Sequence, residues 1–397
     1  MKIMLKLLSA NAAIGVFPLL FIPVLTHLYA PEFFGAFGIV AGASALVAGV
    51  MTLRLEFAIY QSSSPVVFFK LAAAIIRCII VGGGVCFFVA AILFFILSGE
   101  YFSWVIFGVF AAMIYAAISF VNAVNVRKRN FDGLIHSKIL MALLVPLSQM
   151  ALANFFEQGL IYGYLLGLIG TFTVLVLKDR KIILRIFFLK VSFWGVVKGY
   201  RGFILYSTPS YLLNNISNYL VLISINYAYG VANAGLYQMA SRIAAAPTML
   251  VSSAAGDYMR GELSIGNLSV KAQSALKIKI LICVSIVAAL TAFVFSVSVG
   301  HIVGFLGSKW FNLSETLNIL IVLIFFQMVG NPFSPVALMN GFQRDEAALQ
   351  LMLLIMTIFL YSLVDSYSSY LRGYTIIMAA VYVYVVILAF KKKTSIE

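Results

Sequence analysis

Long apolar runs follow one another along the chain, separated by short polar breaks. Each is close to the ~20 residues an α-helix needs to cross ~30 Å of hydrocarbon. The pattern predicts about twelve spanning helices, in two sets of six. The first set falls near Met4–Leu28, Phe34–Tyr60, Val67–Leu97, Phe102–Val124, Lys138–Phe155 and Leu160–Leu177. The second falls near Phe203–Tyr227, Ala234–Ala254, Ala275–Val299, Leu317–Leu338, Ala347–Val364 and Gly373–Phe390. The runs are continuously apolar, whereas the strands of a membrane barrel alternate over about ten residues each. The fold class read from this is an all-α membrane protein. A polar stretch divides the sets, so we expect a six-helix half over 1–178, a basic connection over 179–202 and a second half over 203–397. The connection keeps apolar positions at Ile182, Ile183, Leu184 and from Ile186 to Leu189. That pattern fits an amphipathic helix on the membrane surface, with a plain charged loop as the alternative.

Charge placement gives the chain an expected orientation. Of 27 lysines and arginines, Lys309 and Arg372 fall on one side of the predicted helices, and Arg54 and Arg242 fall within them. All the others lie on the side of Lys2 and Lys6. An excess of basic residues marks the cytoplasmic face, so both termini are expected there, in a cytoplasmic (inner) membrane. The net charge of +14 then needs no nucleic acid, since basic loops facing an anionic leaflet account for it. Only 10% of residues are charged and mean hydropathy is +1.06. Soluble proteins carry about 25% charged residues, so lipid must cover this surface. The first apolar run contains Pro18 and Pro23 and is too long for the core of a cleavable signal. The three cysteines, Cys78, Cys86 and Cys283, lie inside predicted helices and read as small apolar residues. None of the three histidines has ligand spacing to cysteine or carboxylate, so no metal is expected. No Gly-x-x-x-x-Gly-Lys-Ser/Thr occurs, and no bound cofactor is expected.

A repeat runs through the halves. Pro31-Glu32-Phe33-Phe34-Gly35-Ala36-Phe37 opens the second predicted helix, and Val231-Ala232-Asn233-Ala234-Gly235-Leu236-Tyr237 opens the eighth, 200 residues later. Each follows a helix that proline is expected to break, Pro18 and Pro23 in one and Pro209 in the other. Repeated halves with interrupted helices at matching positions suggest a transporter with its path between them.

The stretch Leu28-Tyr29-Ala30-Pro31-Glu32-Phe33-Phe34-Gly35-Ala36-Phe37-Gly38, followed by Leu53-Arg54-Leu55-Glu56-Phe57-Ala58-Ile59, resembles a known family. It is similar to the polysaccharide-exporter branch of the multidrug/oligosaccharidyl-lipid/polysaccharide (MOP) exporter superfamily, the O-antigen and capsule flippases of the Wzx type. The layout resembles that family too. The resemblance implies a MATE-like fold and an outward flippase for undecaprenyl-diphosphate-linked oligosaccharide units. It also implies work beside glycosyltransferases and a polymerase, and coupling to a proton or sodium gradient. A small-molecule exporter of the same superfamily is the near alternative. A membrane polymerase or glycosyltransferase is the more distant one, since the outer loops are very short.

Such a cargo needs a polar cavity with cations for its diphosphate and amides for its sugars. Arg54 falls ~28 Å from the outer start of its helix and Arg242 ~10 Å from that of its own. Intramembrane arginines are functional candidates, and the planar guanidinium suits phosphate. Snorkelling to headgroups is the plainer reading of each. Glu56 is the carboxylate expected deepest in the membrane, as an ion-coupling site or a counter-charge. It stands two residues from Arg54, which on a continuous helix puts the two on different faces. Asn214 and Asn218 share a helical face, as do Gln238 and Arg242. Such amides line a cavity or hold helices together, and Asn11 is a weaker candidate of the same kind. Many of the 20 tyrosines are expected in the interfacial belts.

Overall fold

The computed structural model describes residues 20–60, 64–94, 99–128, 130–264, 269–339 and 342–391. For some helical residues, Asn214, Asn218 and Arg344 among them, it describes the backbone alone. No strand occurs among the described residues. Helix α1 covers 20–28, followed by α2 (Pro31–Met51), α3 (Leu55–Tyr60), α4 (Pro65–Leu93), α5 (Gly99–Arg127), α6 (Phe131–Leu152) and α7 (Gly159–Lys178). Two short helices follow, α8 (Arg180–Phe187) and α9 (Phe193–Gly199). Then come α10 (Arg201–Tyr229), α11 (Val231–Ser264), α12 (Val270–Leu306), α13 (Leu313–Gly330), α14 (Ser334–Met339), α15 (Gln343–Leu363) and α16 (Tyr367–Phe390). Among the described residues, eight helices are long and apolar enough to span a membrane; shorter apolar helices cover Tyr219–Tyr229 and Ala348–Leu363.

The outside of the protein is itself apolar. On α12, Ile282, Ile286, Leu290, Phe293 and Val297 are all exposed. Phe88, Val89 and Ile92 of α4 are exposed in the same way. Water would penalise such a surface and hydrocarbon does not, while the helices satisfy their own backbone hydrogen bonds as lipid requires.

The chain divides into two compact units, one of residues 1–29 and 36–219, the other of 30–35 and 220–397. Helices α2 and α10 therefore contribute to both. In the first unit, α6 and α7 form a tight antiparallel pair. Gly163 and Gly167 of α7 lie against the Gln149 and Val145 backbones, which any side chain there would hit. Small residues let helix backbones approach in this way where lipid supplies no hydrophobic drive. In the second unit, α13 is central and packs on α11, α12 and α16.

Within the second unit, α2 and α11 begin with glycine against glycine. A Cβ on Gly35 would run into the Val231 carbonyl oxygen, and one on Gly235 into that of Pro31. Those four positions are related by the 200-residue offset. The offset extends to the flanking tyrosines. Tyr29 donates its hydroxyl to the Gln149 carbonyl at the end of α6, and Tyr229 donates its own to the Val364 carbonyl just after α15, both at 2.7 Å. One such tyrosine–carbonyl tie thus occurs in each unit.

Three expectations differ in detail. Pro209 does not break its helix, since α10 runs through it. The expected Leu317–Leu338 helix tightens into a 3-10 turn at Asn331–Phe333, where Pro332 cannot supply an α-helical hydrogen bond. Lys277, counted by sequence among the basic residues on the side of Lys2 and Lys6, is only 8% exposed. Its Nζ donates to the Ala389 carbonyl at 2.7 Å and lies 5.9 Å from the centre of the Phe390 ring. It thereby satisfies one of the unpaired carbonyls at the end of α16 and ties that end to α12. Lys277→Met keeps the stem but removes this charged hydrogen bond. It should destabilise the protein by about 1–3 kcal/mol, read as a lower thermal unfolding midpoint in detergent.

Candidate functional site

Helix α2 ends at Met51 and α3 starts at Leu55, so the expected Phe34–Tyr60 helix is interrupted at Thr52-Leu53-Arg54. No glycine or proline marks the spot. Leu53 and Arg54 take φ of 51° and 57° and are the non-glycine residues with positive φ among those described. This conformation costs roughly 1–2 kcal/mol per residue with a side chain. It persists where the surroundings over-determine it, and such places cluster at functional sites.

The surroundings are specific. The backbone closes through Leu53 N–H to the Val50 carbonyl at 2.9 Å and Leu55 N–H to the Thr52 carbonyl at 3.1 Å. The Thr52 hydroxyl donates to the Gly49 carbonyl at 3.1 Å. Arg54 Nη1 stands 3.4 Å from Glu56 Oε1. The Arg54 guanidinium carbon lies 4.2 Å from the centre of the Tyr211 ring on α10. Tyr211 is fixed in turn, its hydroxyl donating to the Ala45 carbonyl of α2 at 2.9 Å. Gly49 makes room for this, since a Cβ there would run into the Tyr211 ring. One helical heptad earlier, Gly42 seats the Tyr219 ring in the same manner. Two glycines of α2 thus receive two tyrosines of α10.

Arg54 and Glu56 face each other, contrary to the expectation from their two-residue spacing. That expectation assumes a continuous helix; two left-handed residues turn the chain and bring position 54 alongside 56. Glu56 is 6% exposed, and its Oε2 is buried without a hydrogen-bond partner among the described residues. Tyr211 interacts electrostatically with both members of the pair and with the Tyr115 hydroxyl, which together with Tyr211 reaches Tyr219, and Glu56 interacts with the Cys78 thiol. The result is a polar island, within the first unit, of one guanidinium, one carboxylate and the Tyr211 phenol, with Tyr115 and Tyr219 beyond it. Arginine with its face stacked on a ring and its edge towards a carboxylate is preorganised to bind anionic oxygens. The carboxylate beside it can exchange for an incoming anion or hold a cation.

The other candidates are distributed as follows. Arg242 and Gln238 lie half-buried on α11, in the second unit, one helical turn apart. Asn214 and Asn218 lie on α10 with side chains outside those described, and Asn11 lies outside the described residues altogether. Their neighbour Asn215 donates Nδ2 to the Tyr211 carbonyl at 2.8 Å, so that amide is spent on its own helix. The sequence reading passed over Tyr211, Tyr115 and Tyr219. The signal for Tyr211 and Tyr219 was the four-residue spacing of Tyr211, Asn215 and Tyr219 on one helical face; Tyr115, on α5, had none of this kind. In the second unit Tyr237, Tyr370 and Tyr374 are buried, while Tyr227, Tyr361 and Tyr384 are exposed. No cluster of metal-ligating side chains occurs among the described residues.

No protein-family model matches the chain, and no curated protein matches it in sequence. Solved structures do match. The lipid II flippase MurJ in an inward closed conformation is 12% identical with a TM-score of 0.71, over 96% of this chain and 87% of that one. A MATE protein in complex with MaL6 is 15% identical with a TM-score of 0.61, over 98% and 94%. An inward-facing multidrug resistance MATE family transporter of the MOP superfamily is 17% identical with a TM-score of 0.55, over 97% and 92%. At these identities the shared property is the fold. The chain is a multi-pass α-helical membrane protein with the fold of MATE transporters and of the MurJ flippase.

Proposed function

We propose that the protein is a flippase that moves undecaprenyl-diphosphate-linked oligosaccharide units from the cytoplasmic to the periplasmic leaflet of the inner membrane by alternating access. The observation that carries this reading is the interrupted α2–α3 segment. A strained backbone holds Arg54 in a polar island where a continuous helix would have passed through. Interrupted helices mark substrate sites in transporters, and an intramembrane arginine is matched to a diphosphate by charge and by its planar fork. Similarity to a lipid II flippase over nearly the whole chain supports a lipid-linked cargo, and the Tyr-x-Pro-Glu-x-Phe-Gly and Leu-Arg-x-Glu strings support the polysaccharide branch. In this reading Arg54 and Arg242 contact the diphosphate at different stages. Asn214, Asn218, Gln238 and Asn11 contact sugars, and Glu56 binds the coupling proton or sodium ion. The polymerase and glycosyltransferases act on either side of the step. Similarity to MATE transporters favours a second reading, a small-molecule exporter.

Deleting the gene in its host separates the two. A flippase predicts that lipid-linked oligosaccharide accumulates on the cytoplasmic leaflet of sealed cells and that surface polysaccharide disappears. Normal surface polysaccharide with new sensitivity to small cationic drugs would reject it in favour of the exporter. Oligosaccharide units that reach the surface but are never joined would make the protein a polymerase.

A further inference from the structure

The segment between α7 and α10 is a built surface. Helix α7 is 20 residues long, or ~30 Å, the thickness of the hydrocarbon core. Its last residue, Lys178, is followed at once by α8, so α8 begins where the chain leaves hydrocarbon. The segment is then held at that depth from below. Arg77, half-buried on α4, donates Nη2 to the Leu189 carbonyl at 2.8 Å and Nη1 to the Val191 carbonyl. Ile186 is fully buried in the same packing, where α8 and α9 both lie on α4. Lys128 at the end of α5 reaches Asp179 at 3.8 Å.

What the clamp leaves exposed is of two kinds. Arg180, Lys181, Arg185 and Lys190 are exposed cations. From Lys178 to Arg201 the only acidic residue is Asp179. Among these cations stand exposed apolar side chains, Leu184, Phe187, Phe188 and Trp194. A solvated loop has no use for the second kind, and a protein-covered helix would not expose the first. Exposed cations interleaved with exposed aromatic and aliphatic side chains, at the depth where hydrocarbon meets headgroups, match a surface that is anionic outside and apolar beneath.

We propose that α8 and α9 form a lipid-reading platform that binds anionic phospholipid headgroups in preference to zwitterionic ones. Headgroup phosphates meet Arg180, Lys181, Arg185 and Lys190, while Phe187, Phe188 and Trp194 enter the acyl boundary. The Arg77 clamp transmits that engagement to α4 in the first unit. The proposal is independent of the cargo, since it concerns the connection and not the Arg54 island.

The chain contains its own probe. Of its three tryptophans, Trp194 is 76% exposed while Trp104 and Trp310 are 7% and 0% exposed. The full-length protein is placed in vesicles of equal parts phosphatidylglycerol and phosphatidylcholine, with bromine high on the acyl chains of one lipid or of the other. Trp194 emission is taken as the difference between wild type and Trp194→Phe. The expected result is quenching at least about two-fold stronger when phosphatidylglycerol carries the bromine. The preference should fall to parity in Arg180→Gln/Lys181→Gln/Arg185→Gln/Lys190→Gln, and with added salt in wild type. Salt keeps the test decisive if the variant does not fold. Equal quenching by the two lipids in wild type would overturn the proposal and leave the charges as topology signals alone. Quenching by aqueous iodide and not by either bromolipid would overturn it too, because the platform would then stand in water.

Discussion

Arg54→Ala should abolish transport, and it should also destabilise the protein. Glu56 is nearly buried and loses its ion-pair partner. Removing one member of a buried pair costs about 3–5 kcal/mol, because the remaining charge stays uncompensated. Arg54 is itself partly exposed, which places the expected loss near the lower figure. The two effects separate in Arg54→Ala/Glu56→Gln, which leaves no charge at this site. Its thermal unfolding midpoint should recover most of the loss, while surface polysaccharide, measured at matched protein level, should remain absent. Recovery of both would make the arginine a structural counter-charge, removing it from the cargo path and Glu56 from the coupling site. Arg54→Lys keeps the charge but lacks the flat face stacked on Tyr211. It should retain folding and give intermediate transport.

A second large effect is expected at the crossing of α2 and α11. Gly35→Ala and Gly235→Ala each place a methyl group against a backbone carbonyl, which cannot rotate away as a side chain could. Overpacking of this kind costs about 1–3 kcal/mol or more. Each variant should unfold several degrees lower in detergent. Gly84→Ala is the internal control. It also lies inside a helix, but its added Cβ would meet nothing within 4 Å. There alanine should be neutral or slightly stabilising, since glycine is the weaker helix former by about 1 kcal/mol. Equal stability of all three variants would show that the helices cross with more room than this geometry has.

Eight of the twelve expected spans, those found long and apolar enough among the described residues, were readable because lipid demands a single thing of each, about 20 apolar residues in a helix. No tertiary information is needed to state that. The glycine-bearing helix starts, 200 residues apart, were also visible in the sequence, and Gly35 and Gly235 turn out to lie against each other. What could not be read was their reason. A Gly in an apolar run signals close approach by something, but the approaching atom belongs to a residue 196 positions away for Gly35 and 204 away for Gly235. The basic connection was legible as an amphipathic stretch, since alternating cations and aliphatics are a local pattern. Its clamp by Arg77 was not, because an arginine twelve residues into α4 reads locally as one more inner-face cation.

The candidate site divides in the same way. Arg54 and Glu56 were singled out by the sequence alone, because a charge in a spanning segment is conspicuous whatever it touches. Their pairing depended on a break that Thr52-Leu53-Arg54 does not announce, since leucine and arginine are good helix formers. Local preference there points to a continuous helix. The stacked Tyr211 ring, the Glu56 carboxylate and the glycine seats of α2 hold a different backbone. Amino-acid sequence by itself therefore determined that this is an all-helical membrane protein, roughly where its helices run and which charges are out of place. Only tertiary structure decided where a helix breaks and which charges meet. Hydrocarbon acts on each segment separately, whereas a strained turn is stable only through partners brought from distant parts of the chain.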